Sequence, residues 1–378
     1  MNPTKSLTGL VILATLFSHS LVFAQMPTYN EKEYLTPFWS TDTMYNESVL
    51  MVSPDSVSPA EASLLFPPLS IISVKDASLE TNYIENIDWI YTNGKLRLLP
   101  GSKAVFMTNS QLYPITKGAT MDKIGGGYVL FHEGHFFHDK QLAITYTHEK
   151  NVWKGPVPKY AGINLPNTTK KLIQGEPLKI VFYGNSITVG GNASGVNRVA
   201  PYMPNYAGLV VNKLKSTYSS AITMKNSAVG GKDAAWGLAN VHSLVTLENP
   251  DLVVLSFGMN DGTGKVSPAV FKSRIESIIN DVRATNPNSE FILVATTLAN
   301  PETFFAGQQV NYKPVLQELA GSGTELADMT GVHQELLKNK LFRDMTGNNI
   351  NHSNDFLHRW YAQQICGLLI PSSATTNE

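Results

Sequence analysis

The second half of the chain alternates between short apolar runs and longer stretches that carry the 3.6-residue periodicity of a helix. The strand-like runs are residues 178–184, 221–228, 251–258, 290–296 and 324–330. The helical stretches are residues 206–218, 234–245, 267–285, 312–323 and 354–370. Alternation of strand and helix builds β-α-β units, a parallel sheet and right-handed crossovers. The chain from residue 175 to residue 373 is therefore predicted to be one α/β domain with a parallel sheet.

The first half has a different rhythm, with short runs that are rich in aromatic and β-branched residues and are separated by turn signals. These runs are residues 48–52, 69–74, 87–92, 95–99, 128–132 and 142–148. Asn93-Gly94 stands between two of them, and this dipeptide is a strong signal for a two-residue hairpin. Residues 25–170 are therefore predicted to form an antiparallel β-sandwich of the jelly-roll kind. The predicted linker between the two domains is residues 165–177.

The first 24 residues are typical of a secretory signal peptide. Lys5 supplies a positive charge, the apolar run LTGLVILATLF follows, and small residues precede a cleavage site after Ala24. The apolar run is shorter than the roughly 20 residues that span a bilayer. We therefore expect a secreted or periplasmic bacterial protein with no membrane segment in its mature form. An N-terminal membrane anchor is the alternative.

Composition narrows the classes of partner. The net charge of the 378 residues is -1, so no basic surplus exists to neutralise the phosphates of a nucleic acid. Cys366 is the sole cysteine, which excludes an internal disulfide and is typical of a buried small apolar residue. The sequence does not indicate an oligomeric state.

Four loops hold the candidate chemistry. In open α/β sheets, sites form where the strands end and deliver their loops. The loop after residues 178–184 contains Ser186, the loop after the second strand contains Gly231, and the loop after the third contains Asn260. A fourth segment, NNINHSNDFLH, precedes the last helix and contains His352. Taken alone, Ser186 would favour a helix N-cap, which is the structural alternative to a nucleophile.

These four segments, in this order, resemble the SGNH branch of the GDSL esterases over residues 178–370. The first block reads Gly184-Asn185-Ser186 where the family usually has G-D-S, and residues 258–261 match its G-x-N-D block. The resemblance implies a flavodoxin-like three-layer α/β/α domain without a metal or an organic cofactor. It also implies roles in acyl transfer: Ser186 as nucleophile, His352 as base, and Gly231 and Asn260 as oxyanion donors beside the Ser186 N–H.

The base and its acid leave alternatives open. Aligning NINHSND with the family's D-x-x-H-P-N block makes His352 the base, whereas reading DFLH as D-x-x-H makes it His358 with Asp355. We favour His352. The family's acid position is then Asn349, which cannot be a carboxylate. Asp344, Asp355 or a backbone carbonyl would have to orient the histidine instead.

Two further features are weaker. The segment FHEGHFFHDKQLAITYTHEK places four histidines near Glu133 and Asp139: His132, His135, His138 and His148. Side chains on strands and a tight turn point to different sides, so we expect a polar edge or a domain interface here, and some of these side chains as a wall of the active-site cleft, rather than a zinc site. Arg198 is a candidate contact for a substrate carboxylate, with an ordinary surface arginine as the alternative.

The combined prediction is a secreted serine esterase, a carbohydrate acetylesterase that takes an acylated carbohydrate as substrate through a Ser-His acyl-enzyme. Two alternatives remain open from the sequence. One is a lipase, thioesterase or aryl esterase that uses the same machinery. The other is a catalytically decayed glycan-binding protein, which the missing carboxylates at Asn185 and Asn349 would suit.

Overall fold

The structure is a computed structural model that describes residues 29–371. The predicted signal peptide, residues 1–24, lies outside the described residues. None of the helices between residues 29 and 371 combines the length and apolar character that crossing a membrane would require.

The first half is built from short strands. The strands are β1 Thr43–Leu50, β2 Val52–Ser53, β3 Glu61–Ala62, β4 Pro68–Asp76, β5 Asn82–Tyr83, β6 Trp89–Thr92, β7 Lys95–Leu98, β8 Met107–Thr108, β9 Thr120–Asp122, β10 Tyr128–Leu130 and β11 Gln141–His148. Two helices of four residues accompany them, α1 Glu31–Tyr34 and α2 Asn109–Leu112. One sheet has the order β1-β11-β4-β5, a second has the order β6-β7-β3-β2-β8, and β9 and β10 form a separate pair. All pairs are antiparallel except β2 with β8, which confirms the predicted antiparallel sheets.

The predicted hairpin is confirmed at Asn93-Gly94. Strands β6 and β7 pair antiparallel with Thr92 opposite Lys95. Asn93 has φ 52° and Gly94 has φ 75°, so both turn residues occupy the left-handed region. A two-residue turn with positive φ at both positions matches the right-handed twist of the strands that it joins.

The second half alternates strands and helices as predicted. Its strands are β12 Leu178–Gly184, β13 Ile222–Asn226, β14 Leu252–Ser256, β15 Glu290–Ala295 and β16 Thr324–Asp328. Its helices are α3 Pro166–Gln174, α4 Ser186–Val189, α5 Ser194–Asn197, α6 Tyr206–Thr217, α7 Ala234–Leu244, α8 Met259–Thr263, α9 Pro268–Thr285, α10 Tyr312–Gln317, α11 Met329–Leu336, α12 Phe342–Met345 and α13 Asp355–Leu369. All five strands are parallel, in the order β13-β12-β14-β15-β16.

Helices cover both faces of this sheet because successive strand residues point to opposite sides. Val181 and Tyr183 of β12 pack in one core with residues of α7 and α9, whereas Ile180 and Phe182 pack in another with residues of α6 and α13. The three-layer α/β/α arrangement is thereby confirmed. The strand order reverses direction between β12 and β14, and open sheets of this kind place ligands outside the carboxyl ends of the strands at such a point.

The predicted linker, residues 165–177, contains helix α3 instead of an extended connection. The buried carboxylate of Glu290, the first residue of β15, accepts hydrogen bonds from the backbone N–H groups of Asn167 and Thr168, at 2.8 and 2.7 Å. These N–H groups lie in the first turn of α3, where no intrahelical partner exists. Helix α3 is therefore docked on the sheet of the second half, through a contact that no local pattern encodes.

The two halves share one hydrophobic core. Phe38, which follows α1, stacks on Trp360 of α13 with ring centroids 4.4 Å apart. Arg359, one residue before, donates through Nε to the carbonyl oxygen of Tyr34 at 3.1 Å. The change in sequence rhythm therefore does not coincide with a break in packing.

Candidate active site

Ser186 lies two residues after the end of β12, the second strand of the parallel sheet, and is the first residue of α4. The N-cap of this short helix is Asn185, whose side-chain oxygen accepts a hydrogen bond from Ile187 N–H at 3.1 Å. The capping role proposed above as the alternative for Ser186 therefore belongs to Asn185, which is buried. Ser186 itself is partly exposed.

Glycines allow close approach on both sides of Ser186. A methyl group at Gly184 would lie 2.4 Å from the carbonyl oxygen of Ser256, so the backbone of β12 could not pass β14 there with any other residue. A methyl group at Gly191 would lie 3.1 Å from Nδ1 of His352 and 3.3 Å from the carbonyl oxygen of Ser186. Gly191 is therefore the position at which the Ser186 turn and the His352 ring pack together.

The second and third loops place hydrogen-bond donors beside Ser186. A methyl group at Gly230 would lie 3.9 Å from Cβ of Ser186, so this loop faces the serine. Gly231 has φ 74° and its backbone N–H makes no hydrogen bond within the described part of the chain. The amide nitrogen Nδ2 of Asn260 donates to the carbonyl oxygen of Lys232 at 2.8 Å, which leaves its second N–H for another acceptor.

Asp261 fixes these two loops to one another. Its fully buried carboxylate accepts from the N–H of Ala234, at the start of α7, and from the N–H of Gly258, before α8, at 3.0 and 3.1 Å. Burial raises the pKa of Asp261 to about 6, and the nearby charge of Asp233 adds to this against the lowering effect of the two hydrogen bonds. Arg274 lies 3.6 Å away and offers a compensating charge.

His352 lies in a short loop whose backbone N–H groups converge on the side chain of Asn348. The side-chain oxygen of Asn348 accepts from the N–H groups of Ile350, Asn351 and His352, each at 3.0 Å. The carbonyl oxygen of His352 accepts from Gly347 N–H at 2.9 Å, which closes the loop. The backbone of His352 is therefore held at both its donor and its acceptor.

The ring of His352 contacts a carboxylate from the first half of the chain. Its Nδ1 lies 3.0 Å from Oε2 of Glu133 and 2.9 Å from Oδ1 of Asn192. Burial raises the pKa of Glu133, but the hydrogen bond and charge of His352, with the amides of Asn348 and Asn192, outweigh it. The pKa of Glu133 therefore lies below its ordinary value. The other ring nitrogen, Nε2, makes no hydrogen bond to any residue from 29 to 371.

The two aspartates proposed as the acid accept hydrogen bonds from backbone N–H groups, and neither is hydrogen-bonded to His352 within residues 29–371. Asp344 accepts from the backbone N–H of Leu50 and of Leu341, both at 2.9 Å. Asp355 accepts from Ser194 N–H at 2.8 Å. Asn349, at the family's acid position, donates its side chain to the carbonyl oxygen of Leu130 at 3.1 Å.

The alternative base, His358, lies inside the protein. It is one turn into α13, fully buried, with its ring 6.1 Å from that of Tyr206. Burial lowers the pKa of His358 to about 3, which keeps its ring neutral. A ring without access to solvent is poorly placed to exchange protons with a substrate, so the alternative that uses His358 with Asp355 is not supported by its surroundings.

The remaining candidates are dispersed. Arg198 is exposed and makes no ion pair among residues 29–371, so its role stays a prediction. In the histidine-rich segment, the ring of His132 stacks on Phe136 at 4.4 Å and His135 pairs with Asp139 at 2.7 Å. His138 points to the carbonyl oxygen of Ala200 at 2.7 Å. Nowhere in residues 29–371 do three or more His, Cys, Asp or Glu side chains converge as a metal site would require.

Glu133 and Asn192 are the site residues that sequence reasoning did not assign. Glu133 lies within the histidine-rich segment. The sequence therefore pointed to this segment, but it did not show which of its polar side chains would contact the second half. Asn192 follows the first block, in the run VGGNASG, and matches no motif. The signal in the sequence was the amide at Asn349, where the family usually has an acid. It indicated that a carboxylate for the histidine would have to be supplied by another part of the chain.

The comparisons with known proteins concern this same half. Residues 182–359 match the GDSL-like Lipase/Acylhydrolase family. No curated protein matches the chain.

Solved structures of esterases are among those that resemble it. A two-domain esterase active on acetylated mannans, co-crystallized with mannopentaose, has 22% identity and a TM-score of 0.45, and the alignment covers 55% of this chain and 53% of that one. A catalytic mutant of an acetylxylan esterase from Geobacillus stearothermophilus has 17% identity and a TM-score of 0.44, covering 54% and 99%. The acetyl xylan esterase AlAXEase has 22% identity and a TM-score of 0.39, covering 50% and 98%.

The alignment with the two-domain esterase spans about half the length of that protein. At these identities the likenesses concern the fold alone. The family match covers the strand that leads to Ser186, the loop of Asn260 and the loop of His352. Residues 182–359 of this chain are therefore similar to the GDSL-like Lipase/Acylhydrolase family.

Proposed function

We propose that this protein is an exported serine esterase that removes acetyl groups from a polysaccharide or oligosaccharide through an acyl-enzyme. The observation that carries the proposal is the packing of the Ser186 turn and the His352 ring on the same glycine, Gly191. The pair lies at the carboxyl end of β12, beside the loops of Gly231 and Asn260.

In the first step, Nε2 of His352 takes the hydroxyl proton of Ser186 while Oγ forms a bond to the ester carbonyl carbon. The carbonyl π electrons move to the oxygen, which becomes a tetrahedral oxyanion. Nδ1 of His352 faces acceptors, so the ring carries its proton on Nδ1 and has its lone pair on Nε2. This tautomer is the one that a base for Ser186 needs.

Three donors stabilise the oxyanion in this scheme. The N–H of Ser186 is the first of α4 and has no intrahelical acceptor, and the N–H of Gly231 makes no hydrogen bond within residues 29–371. The free N–H of the Asn260 side chain is the third. Because Lys232 already holds the other N–H of this amide, the donor is oriented before substrate arrives.

The intermediate then collapses. The carbon–oxygen bond to the sugar breaks, and the sugar oxygen takes the proton from Nε2 of His352. Water enters, gives a proton to the same nitrogen, and attacks the acyl carbon. The carboxylic acid leaves as Ser186 recovers its proton.

The surroundings of the pair support a polar substrate. Ser186 and His352 pack against glycine, asparagine and glutamate: Gly191, Gly230, Asn192 and Glu133. A rim of amides, a carboxylate and backbone suits the hydroxyl groups of a sugar better than a long acyl chain, which needs a continuous apolar wall.

The experiment is acetate release from acetylated xylan, acetylated mannan and acetylated pectin, with nitrophenyl esters of two to twelve carbons as a chain-length series. We expect acetate from at least one polysaccharide, the fastest nitrophenyl turnover with the acetyl ester, and loss of both in Ser186→Ala. Fastest turnover with the longest esters would instead support a lipase. Glycan binding with no ester hydrolysis would support a decayed enzyme and contradict the proposal.

A further inference from the structure

We infer that Glu133, carried by the first half of the chain, is the positioning residue for His352, so the active site is assembled from both halves. This inference rests on the proposed function, since it assigns the acid that the Ser186–His352 pair lacks within residues 182–359. The observation behind it is the 3.0 Å contact between Oε2 of Glu133 and Nδ1 of His352, two residues that are 219 positions apart in the sequence.

The segment that carries Glu133 is fastened to the second half on both sides of that residue. Before it, the carbonyl oxygen of Leu130 accepts from the side chain of Asn349 at 3.1 Å. After it, the carbonyl oxygen of Gly134 accepts from the side chain of Asn192 at 2.6 Å. The second carboxylate oxygen of Glu133 accepts from Asn348 at 3.1 Å. The segment is therefore held by hydrogen bonds on both sides of Glu133, and both carboxylate oxygens have partners, while the side chain remains 49% exposed.

Asn349 connects the absence of an acid at the family's usual position to the docking of the Glu133 segment. In the family's usual block this position is an acid that orients the histidine, whereas here an amide donates to Leu130, three residues before Glu133. An aspartate could not donate this hydrogen bond, because an ionised carboxylate only accepts. The loss of the local acid and the docking of the Glu133 segment are thus linked through one residue.

Asn192 determines which ring nitrogen carries the proton. Its Nδ2 donates to two carbonyl oxygens, those of Gly134 and Gly347, at 2.6 and 3.2 Å. The side-chain oxygen of Asn192 must therefore be the atom that faces His352, and both it and Glu133 are acceptors. Two acceptors at Nδ1 require a proton there, which leaves Nε2 as the base.

The two acceptors differ in what they contribute. Asn192 can select the tautomer, but as a neutral amide it adds little stabilisation to the imidazolium that forms during the reaction. Glu133 bears a charge and can stabilise the imidazolium. The titratable groups that face the His352 ring are Glu133 and His358, and the second is kept neutral by its burial. Glu133 is therefore the charged partner that is placed to stabilise the imidazolium.

The test is the pH dependence of kcat and kcat/KM for Glu133→Gln, which keeps the shape of the side chain and removes its charge. We expect kcat to fall about 10- to 100-fold with KM changed less than about twofold. This is less than the roughly 10⁴-fold loss known for a wrong tautomer, because Asn192 is still present. The acidic limb of the kcat/KM profile should move to lower pH, since removing a neighbouring negative charge disfavours the protonated ring.

Asp139→Asn is the matched control, because it removes a carboxylate from the same segment, where Asp139 pairs with the exposed His135. It should leave kcat and the pH profile unchanged. Glu133→Asp, which keeps the charge but shortens its reach, should retain the position of the acidic limb better than Glu133→Gln. It also provides the test if Glu133→Gln fails to fold in a thermal melt.

A wild-type kcat and acidic limb in Glu133→Gln would overturn the inference, as would an equal shift in Asp139→Asn. These outcomes are distinct from failure of the proposed function. If wild-type protein hydrolyses no ester, or if Ser186→Ala retains wild-type turnover, the proposed mechanism itself fails. If wild-type protein is active and Ser186→Ala is not, the Glu133 variants test the positioning role alone.

Discussion

A buried ion pair joins the two halves, and its disruption should be among the most destabilising single changes in the chain. Nζ of Lys340, between α11 and α12, lies 2.5 Å from Oε1 of Glu47 in β1, and neither side chain is exposed. Lys340 also donates to the carbonyl oxygen of Ser48 at 2.8 Å. The carboxylate of Glu47 accepts two further hydrogen bonds, from the N–H of Leu65 at 2.9 Å and the hydroxyl of Tyr146 at 2.5 Å.

The perturbation is Lys340→Met, which keeps the length of the side chain and removes its charge. Glu47 then retains two neutral donors but no cation, while still excluded from water. Removing one partner of a buried pair costs about 3–5 kcal/mol, because the remaining charge is left uncompensated. That is a large part of the 5–15 kcal/mol by which folded domains are typically stable.

The assay is urea unfolding followed by tryptophan fluorescence, with the double variant Lys340→Met/Glu47→Gln completing a cycle. The double variant should recover most of the lost free energy of unfolding, since no unpaired charge remains. Lys338→Met is the matched control, because Lys338 makes a surface pair with Glu335 at 2.6 Å while 65% exposed. A pair of that kind contributes at most about 1 kcal/mol.

The reasoning would be refuted if Lys340→Met and Lys338→Met lowered the free energy of unfolding by the same small amount. It would also be refuted if the double variant were less stable than Lys340→Met alone. Either result would mean that Glu47 is hydrated in solution and that the contact between the halves is looser than the structure shows.

Two further predictions concern the catalytic loops and the core. Asn260→Ala should lower kcat by about 10²- to 10³-fold with little change in KM, because its amide acts on an oxyanion that exists only after attack; an unchanged kcat with acetyl esters would contradict that role. Burial lowers the pKa of His333 and of His358 to about 3. Below about pH 6.5 these histidines bind protons in the unfolded chain but not in the folded chain. The free energy of unfolding should therefore fall as the pH falls towards 3, by about 1.4 kcal/mol per pH unit for each histidine. In urea unfolding between pH 6 and pH 4, His358→Phe should reduce the dependence of the free energy of unfolding on pH by about 1.4 kcal/mol per pH unit. An unaltered dependence would show that this ring is already protonated or accessible in the folded protein.

Much of the fold was predictable because it depends on local periodicity. The five parallel strands and the long helices of the second half follow from apolar residues spaced at two or 3.6 residues, and the Asn93-Gly94 turn follows from two residues that tolerate positive φ. Helix α3 was not predicted, because its stabilising contact with Glu290 lies more than a hundred residues away. Docking of that kind leaves no periodic trace in the sequence.

The candidate site divides in the same way. Ser186, Gly231, Asn260 and His352 could be proposed from the sequence because each lies in a short, recognisable block after a strand or before a helix, and their catalytic roles stay predictions. The capping role fell to Asn185 rather than Ser186, a distinction of one residue that only the backbone conformation decides. The proposed acids, Asp344 and Asp355, were chosen for nearness in sequence, whereas the backbone directs both carboxylates to other donors.

The sequence by itself determined the alternation that builds the sheet, the residue types on its loops and the absence of an acid at Asn349. The tertiary structure alone decided what stands in that place. It brings Glu133 to His352 by docking a segment of the first half beside the last loop of the second. The physical reason is that strands and loops are specified by neighbours in the chain. The hydrogen-bond partner of His352 is instead specified by which surfaces pack together, and this packing depends on side chains from both halves of the chain.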